Sequence, residues 1–228
     1  MWPEESVRFS NREKAGAALA AEVDSYLRDN GFTDRPLVVG VPRGGVPVAA
    51  EVARAIGGDL DIVVVGRIGL PWQPEFGVGT VAEAGQPLID HSALANANLC
   101  TSDLGPAVQR QRIEIARRTE QYRRTRPAEP VTGRLVILVD DGVNTGATAR
   151  AALRALRAAE PAHLVFATPV CAADSYDGIR DEADAVVHVQ IPCCSSAFGL
   201  WYKDFADVDD DTVSEILDRS WTAPASAG

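Results

Sequence analysis

The chain has 228 residues, of which 46% are hydrophobic and 24% charged, and its formal net charge is −10. This length suits one well-buried domain, and the negative charge argues against a nucleic-acid partner, because a general nucleic-acid binder normally presents a basic face. The sequence has no apolar run of membrane-spanning length and does not open with a secretory signal, so we expect a cytoplasmic protein with no membrane partner. Its four cysteines lack zinc-site spacing and favour reduced thiols.

The first elements are a helix and a strand that ends in a pair of glycines. Residues 10–29 have an apolar face at helical spacing, and we expect Ser10 to cap this helix. Residues 37–41 predict a buried strand, which is followed by Pro42-Arg43-Gly44-Gly45 and a second helix. Glycines after a parallel strand let backbone N–H groups face a ligand, and Arg43 offers a guanidinium fork for phosphate oxygens. Such a turn on its own is equally typical of a purely structural role.

A second apolar strand precedes a stretch that is rich in glycine and proline. Residues 60–65 predict a buried strand that brings Arg67 to the same edge of the sheet. There the side chain either faces a phosphate group or stands as a solvated surface charge. Within residues 69–90, the segment 78–83 predicts one strand of a hairpin with its turn at 84–86.

Residues 106–126 predict a long polar helix. Three interpretations remain open: a solvated helix face, a lid, or a subunit contact that lends positive charge to a phosphate site. The helix carries these arginines: Arg110, Arg112, Arg117, Arg118, Arg123, Arg124 and Arg126.

The most informative stretch is residues 135–150, LVILVDDGVNTGATAR. Its apolar run predicts a buried parallel strand that ends on Asp140 and Asp141 and is followed by a loop of small residues and a helix. Such a loop directs backbone N–H groups and the positive end of the helix dipole at a phosphate, and Thr145 and Thr148 add hydroxyl donors. The two carboxylates would repel a phosphate and suit ribose hydroxyls or positive charge on a sugar ring. The stretch therefore predicts a site for a phosphorylated ribose.

The remaining elements complete the predicted sheet. Residues 163–170 and 185–190 predict two further strands, and residues 209–219 a closing helix. Helices that alternate with short apolar strands predict an α/β fold, with a doubly wound, mostly parallel sheet of five strands in a single domain over 1–228. Residues 195–208 are dense in aromatic side chains, among them Trp201, and form either a platform on which a base can stack or an apolar flap that packs on the core.

The order of these motifs resembles the type I phosphoribosyltransferases. Their signature is an apolar strand, two acids, a short spacer and Thr-Gly-x-Thr, and residues 136–148 match it throughout. The Pro-Arg-Gly-Gly turn, the Arg-rich helix and the late Trp-Tyr pair extend the resemblance over most of the chain, toward a bacterial subfamily whose acceptor is generally not assigned. The resemblance implies a small C-terminal hood over about 191–208 and a mobile hairpin lid over about 67–90.

The resemblance also implies a reaction. The family transfers phosphoribose from phosphoribosyl pyrophosphate, with Mg²⁺, to a small-molecule nitrogen acceptor such as a nucleobase, and it commonly forms homodimers. By this resemblance, pyrophosphate would lie at Arg43, Gly44, Gly45 and Arg67. The family's pyrophosphate loop often holds a non-proline cis peptide, which we therefore predict beside Arg43 or Gly44.

The resemblance assigns the other end of the donor to the second motif. Asp140 and Asp141 would hold the ribose hydroxyls and meet Mg²⁺ through water or substrate, while Trp201 in the hood would stack on the acceptor. The 5′-phosphate would lie on the loop of Gly142, Val143, Asn144, Thr145, Gly146, Ala147 and Thr148.

Two departures from the family pattern favour a second interpretation. The 6-oxopurine enzymes carry a candidate general base three residues after the acid pair, where this chain has Asn144, so hypoxanthine and guanine fit poorly as acceptors. The subfamily usually has an Arg-Lys pair after the second strand, where Gly66-Arg67 stands here. The alternative is a non-catalytic regulatory protein that binds phosphoribosyl pyrophosphate or a nucleotide.

Overall fold

Helices alternate with short strands in the computed structural model, which describes residues 8–124, 126–192 and 200–220. The strands are β1 (Leu37–Gly40), β2 (Asp59–Ile62), β3 (Val65–Leu70), β4 (Gln73–Ala82), β5 (Leu88–Ile89), β6 (Leu135–Val139), β7 (His163–Val170) and β8 (Ala185–Gln190). The helices are α1 (Arg12–Asp29), α2 (Gly45–Ile56), α3 (His91–Asn96), α4 (Gly105–Arg123), α5 (Ala147–Arg157), α6 (Ala173–Arg180) and α7 (Asp210–Ser220), and a 3-10 turn covers Thr101–Leu104.

Five parallel strands form the central sheet, in the order β2-β1-β6-β7-β8. Gly40 of β1 pairs with Val139 of β6, which in turn pairs with Ala167 of β7, so the carboxyl ends of these strands share one edge. Every residue of the central strand β6 is buried, as expected for a parallel strand that is covered on both faces. The predicted α/β fold with a five-stranded parallel sheet is confirmed.

Helices cover the two faces of this sheet, and each strand contributes alternate residues to each face. Ile137 and Val165 pack in the cluster that α1 and α2 share. Leu138 and Phe166 pack on the opposite side with residues of α5. The sheet is therefore doubly wound, and the loops at its carboxyl edge rest on a core that is packed from both sides.

A separate antiparallel sheet, β3-β4-β5, corrects the prediction of one strand over 60–65. The parallel strand β2 ends at Ile62, and the chain then turns to pair Val65 of β3 with Ala82 of β4. The apolar run 60–65 does not by itself reveal this change of strand partner, because its residues are buried or partly buried both before and after the change. The predicted hairpin with its turn at 84–86 is present, since β4 and β5 pair on either side of that turn. A second hairpin joins β3 and β4 and has Trp72 at its tip, 63% exposed. The role of this region as a mobile lid stays a prediction.

Two helices differ in detail from the sequence-based expectation. The cap of α1 is Asn11 and not Ser10, since the Asn11 side chain accepts a hydrogen bond from the backbone N–H of Lys14 at 3.0 Å. The Arg-rich helix α4 ends at Arg123, whose guanidinium is buried against carboxylates of other elements. No helix in the described parts of the chain is both long and apolar enough to cross a membrane.

Candidate functional site

The turn after β1 packs directly against the acid pair after β6. A Cβ atom added at Gly44 would lie 2.1 Å from Asp141 Oδ2, and one added at Gly45 would lie 3.0 Å from the Cα of Asp140. Only glycine allows this close approach. The peptide bond between Pro42 and Arg43 is cis, which confirms the prediction made for this turn.

The acid pair lies at the centre of the sheet edge and is partly buried. The backbone N–H of Asp140 donates to the carbonyl of Ala167 at 3.3 Å, and the N–H of Asp141 donates to Asp140 Oδ1 at 2.9 Å. Burial, followed by the charge of Asp141, raises the pKa of Asp140. Burial also raises the pKa of Asp141, although the hydrogen bond and charge of Arg12 oppose this shift. The pair can accept hydroxyl hydrogen bonds and supply negative charge to a cationic centre.

Arg12 is a residue of this site that sequence reasoning missed. Its Nε donates to Asp141 Oδ2 at 2.7 Å, and the exposed fractions of the two side chains are 11% and 13%. The hydroxyl of Tyr202 donates to the backbone carbonyl of Asp141 at 2.6 Å. Arg12 is 129 residues away from Asp141 in the sequence, at the first position of an ordinary amphipathic helix, so no local pattern marks it.

The loop that follows the acid pair is hydrogen-bonded to β7 and α6, while several of its polar side chains are exposed. The N–H of Val143 donates to Val170 at 2.9 Å, and the Ser175 hydroxyl donates to the carbonyl of Asn144. Gly146 has a φ of +72° at the position that caps α5, a conformation that favours glycine. The side chains of Asn144, Thr145 and Thr148 are exposed. The loop is therefore anchored on β7 and α6, and the start of α5 is open to a ligand.

A cleft of about 930 Å³ joins this loop to the antiparallel sheet. Arg67 of β3 lines it together with Asn144, Thr145 and Thr148. The Arg67 side chain lies over Gly77 of the neighbouring strand β4. A Cβ atom added at Gly77 would be 2.2 Å from Nε of Arg67. The structure thus brings Arg67 to the predicted phosphate loop.

Arg43 does not line this cleft among the described residues. The pKa of Asp209 is lowered by hydrogen bonds from Thr212 and, to a smaller extent, by the charge of Arg43. The Arg43 side chain is exposed. The two arginines assigned to pyrophosphate by resemblance therefore lie in different surroundings.

Gly66, the departure from the subfamily pattern, is buried beside α4. An added Cβ there would lie 2.7 Å from Oε1 of Gln111 and 3.2 Å from Cδ1 of Ile115. A longer side chain at this position would require Gln111 to move.

Trp201 belongs to the core in this structure. It is 4% exposed and packs in one cluster with Phe9, Ala15, Val170 and Tyr202. This burial is unlike that of a ring open for stacking, and the contact of Trp201 with an acceptor stays a prediction. Residues 193–199, which are part of the predicted hood, lie outside the described residues.

Replacing Gly44 with Ala should damage the site through packing alone. The φ and ψ of Gly44 are −63° and −32°, so alanine can adopt this backbone conformation. Its methyl group would displace the Asp141 carboxylate, and overpacking of this kind costs about 1–3 kcal/mol. We expect a lower midpoint in urea unfolding.

Gly178→Ala is the matched control for this variant, because Gly178 lies inside α6 and an added Cβ there would meet Cδ of Arg150 at 3.8 Å, an ordinary van der Waals contact. This control should unfold at the native midpoint or slightly above it. Equal behaviour of the two variants would contradict the packing argument.

Similarity to known proteins extends over most of this chain. A family model described as the phosphoribosyl transferase domain matches residues 8–196. Two Mycobacterium tuberculosis proteins, from strains CDC 1551 and H37Rv and provisionally named as phosphoribosyl transferases, are 38% identical over 220 residues. The match covers 96% of this chain but 48% of those proteins, so the chain spans about half the length of these curated relatives.

Solved structures share the same fold. The crystal structure of TT1426 from Thermus thermophilus is 40% identical, with a TM-score of 0.77 and coverage of 94% of this chain and 99% of that chain. A hypothetical protein from Neisseria gonorrhoeae with bound ppGpp is 11% identical, with a TM-score of 0.50 over 96% of this chain and 99% of that chain. At that identity the second likeness concerns the fold alone.

Proposed function

We propose that this chain, which belongs to the phosphoribosyltransferase family, transfers phosphoribose from phosphoribosyl pyrophosphate to a nitrogen acceptor of the nucleobase class. The observation that carries the proposal is the contact between the turn after β1 and the acid pair after β6. Gly44 and Gly45 lie against Asp141 and Asp140 at the sheet edge, next to the start of α5. A pyrophosphate group, a ribose and a 5′-phosphate need three adjacent subsites of this kind.

In this proposal the acid pair binds the ribose of the donor. Asp140 and Asp141 form the ribose end of the site, and their negative charge stabilises the positive charge that develops as pyrophosphate departs. The transfer needs no nucleophilic side chain, because the work of the site is positioning and electrostatic stabilisation.

Anionic groups of the donor would be bound on either side of the acid pair. The loop 142–148 holds the 5′-phosphate through its backbone N–H groups and through Thr145 and Thr148. Arg43 and the peptides of Gly44 and Gly45 receive the pyrophosphate. Arg67, which lines the cleft with the loop, supplies positive charge to the bound donor.

The acid pair suits a magnesium ion that binds together with the donor. It is less suited to an ion that the protein would bind alone. Asp141 Oδ2 is already hydrogen-bonded to Arg12, and the described residues contain no group of three His, Cys, Asp or Glu that could hold a metal. Mg²⁺ in such sites keeps several waters and is bound through one or two carboxylates plus substrate oxygens. When bound, it would neutralise charge on the leaving pyrophosphate, with Asp140 reached through water or a ribose hydroxyl.

Replacing Arg67 with Met should weaken donor binding. It removes a cation from the cleft, and hydrogen bonds to charged groups contribute about 1.5–3 kcal/mol, so we expect roughly a tenfold or greater loss of affinity in calorimetry. Arg28→Met is the control, since that side chain is 70% exposed and pairs within α1. Native affinity in the Arg67 variant would show that Arg67 is a surface charge.

The proposed reaction is tested by donor-dependent release of pyrophosphate across a panel of nucleobases. A base that stimulates release, and whose ribonucleoside monophosphate appears as product, would establish the transferase. Donor binding without release for any base would favour the second candidate, a regulatory binding protein. That candidate is supported by Asn144, whose amide cannot act as a general base in the position where the 6-oxopurine enzymes carry one.

A further inference from the structure

The two acids of the pair have different surroundings in this structure. Asp141 Oδ2 accepts a hydrogen bond from Arg12 Nε at 2.7 Å and lies against the backbone of Gly44. Asp140 Oδ1 accepts a local hydrogen bond from the backbone N–H of Asp141, and none of the ion pairs of the described residues involves Asp140. Asp141 Oδ2 is thus already engaged by a cation of the protein, and a donor sugar that used this oxygen would have to share it with Arg12.

Arg12 is itself fixed by several contacts at once. One terminal nitrogen donates to the carbonyl of Ala206 at 2.7 Å, and its guanidinium carbon lies 3.9 Å from the centre of the Phe205 ring. The Phe205 ring in turn stacks on Tyr202 at 4.8 Å between ring centres. Tyr202 donates to the main chain of Asp141, so the same segment reaches this acid by two routes.

The segment around Tyr202 is tied to the start of the chain by backbone hydrogen bonds. Phe9 donates to Trp201 at 2.9 Å, and Lys203 donates back to Phe9 at 2.8 Å. This pairing fixes the residues that lead into α1 and therefore the position of Arg12. Through Arg12, the pairing also holds Asp141, which faces the Gly44 turn.

We propose that Arg12 is a positioning residue, which holds the Asp141 carboxylate against the Gly44 turn so that Asp140 is the acid whose side chain meets the donor sugar. This inference rests on the proposed function for its consequence, because a displaced Asp141 would crowd the turn assigned to pyrophosphate. Its structural content, that Arg12 fixes residues 140–144, can be measured without any ligand.

The test compares the native chain with Arg12→Gln, Arg12→Lys and Arg8→Gln. Arg8 is the matched control, since its guanidinium donates to the carbonyl of Tyr202 at 3.1 and 3.2 Å in the same terminal pairing. Each protein is titrated calorimetrically with phosphoribosyl pyrophosphate and Mg²⁺. Amide hydrogen exchange is measured over residues 140–144 without ligand.

We expect Arg12→Gln to lose roughly tenfold or more in donor affinity, because the released Asp141 carboxylate would crowd the turn assigned to pyrophosphate. Exchange over 140–144 should rise in this variant. Arg12→Lys should recover part of both properties, and Arg8→Gln should resemble the native chain. If Arg12→Gln does not fold, Asp141→Asn removes the same ion pair from its other side and should raise exchange in the same residues.

Two results would overturn the inference. One is native exchange over 140–144 in Arg12→Gln. The other is an equal effect of Arg8→Gln, which would assign the role to the terminal pairing as a whole. Failure of the native chain to bind the donor would instead reject the proposed function, and the exchange measurement would still decide whether Arg12 holds Asp141.

Discussion

Replacing Asp140 with Asn should reduce donor-dependent transfer by about 10²–10³-fold, the usual effect of removing one group that stabilises charge in a transition state. The amide keeps the shape of the side chain but cannot offer negative charge to the sugar. We expect the melting temperature to stay at or above the native value, because a partly buried charge is removed. Steady-state release of pyrophosphate and thermal unfolding measure the two effects separately.

The pH dependence of the melting temperature checks the electrostatic part of this argument. The folded-state pKa of Asp140 is raised by burial and by Asp141, so the folded chain binds this proton more tightly than the unfolded chain does. The stability that results is present at low pH and is lost as pH rises through the folded-state pKa. The amide of the Asp140→Asn variant cannot titrate, so the stability of this variant relative to the native chain should increase as pH rises toward neutrality. Full transfer activity in the Asp140→Asn protein would contradict the assignment of this acid.

Replacing Arg123 with Met should lower the free energy of unfolding by about 3–5 kcal/mol, the usual result of breaking a buried ion pair. Its side chain is 13% exposed and contacts Asp61 at 2.9 Å and Glu83 at 2.6 Å, and it also donates to the carbonyl of Ile62. The substitution leaves the Asp61 carboxylate buried and short of its cationic partner. Urea unfolding at neutral pH gives the free energy directly.

Two companion variants separate charge burial from general damage to α4. Arg117→Met removes an arginine that is 54% exposed and paired with Glu114, so it should cost less than about 1 kcal/mol. Adding Asp61→Asn to Arg123→Met removes the unpaired charge and should recover part of the loss. A cost for Arg123→Met no larger than that of Arg117→Met would show that the buried contacts contribute little.

The strand β6 and the loop after it could be predicted from the sequence because their information is local. Five apolar residues, two acids and a glycine-containing loop before a helix occur within one continuous segment. The physical requirement for each residue follows from its neighbours in the chain. The cis peptide at Arg43 could be predicted for a different reason, because it followed from the resemblance to a family.

Contacts between distant segments could not be predicted in the same way. Arg12 and Asp141 are 129 residues apart, and Arg123 and Asp61 are 62 apart. An arginine on a polar helix has the same local pattern whether its guanidinium is buried or solvated. The change of sheet between Ile62 and Val65 was missed for a related reason, since strand partners are set by the fold and not by the apolar run itself.

The most direct test of the central claim is calorimetric titration of phosphoribosyl pyrophosphate with Mg²⁺ into the native chain and into a variant with Asp140→Asn and Asp141→Asn. The account predicts that the native chain binds the donor and that the folded variant has lost this binding. Absence of binding by the native chain, or equal binding by both proteins, would contradict the donor site and the transferase proposal together.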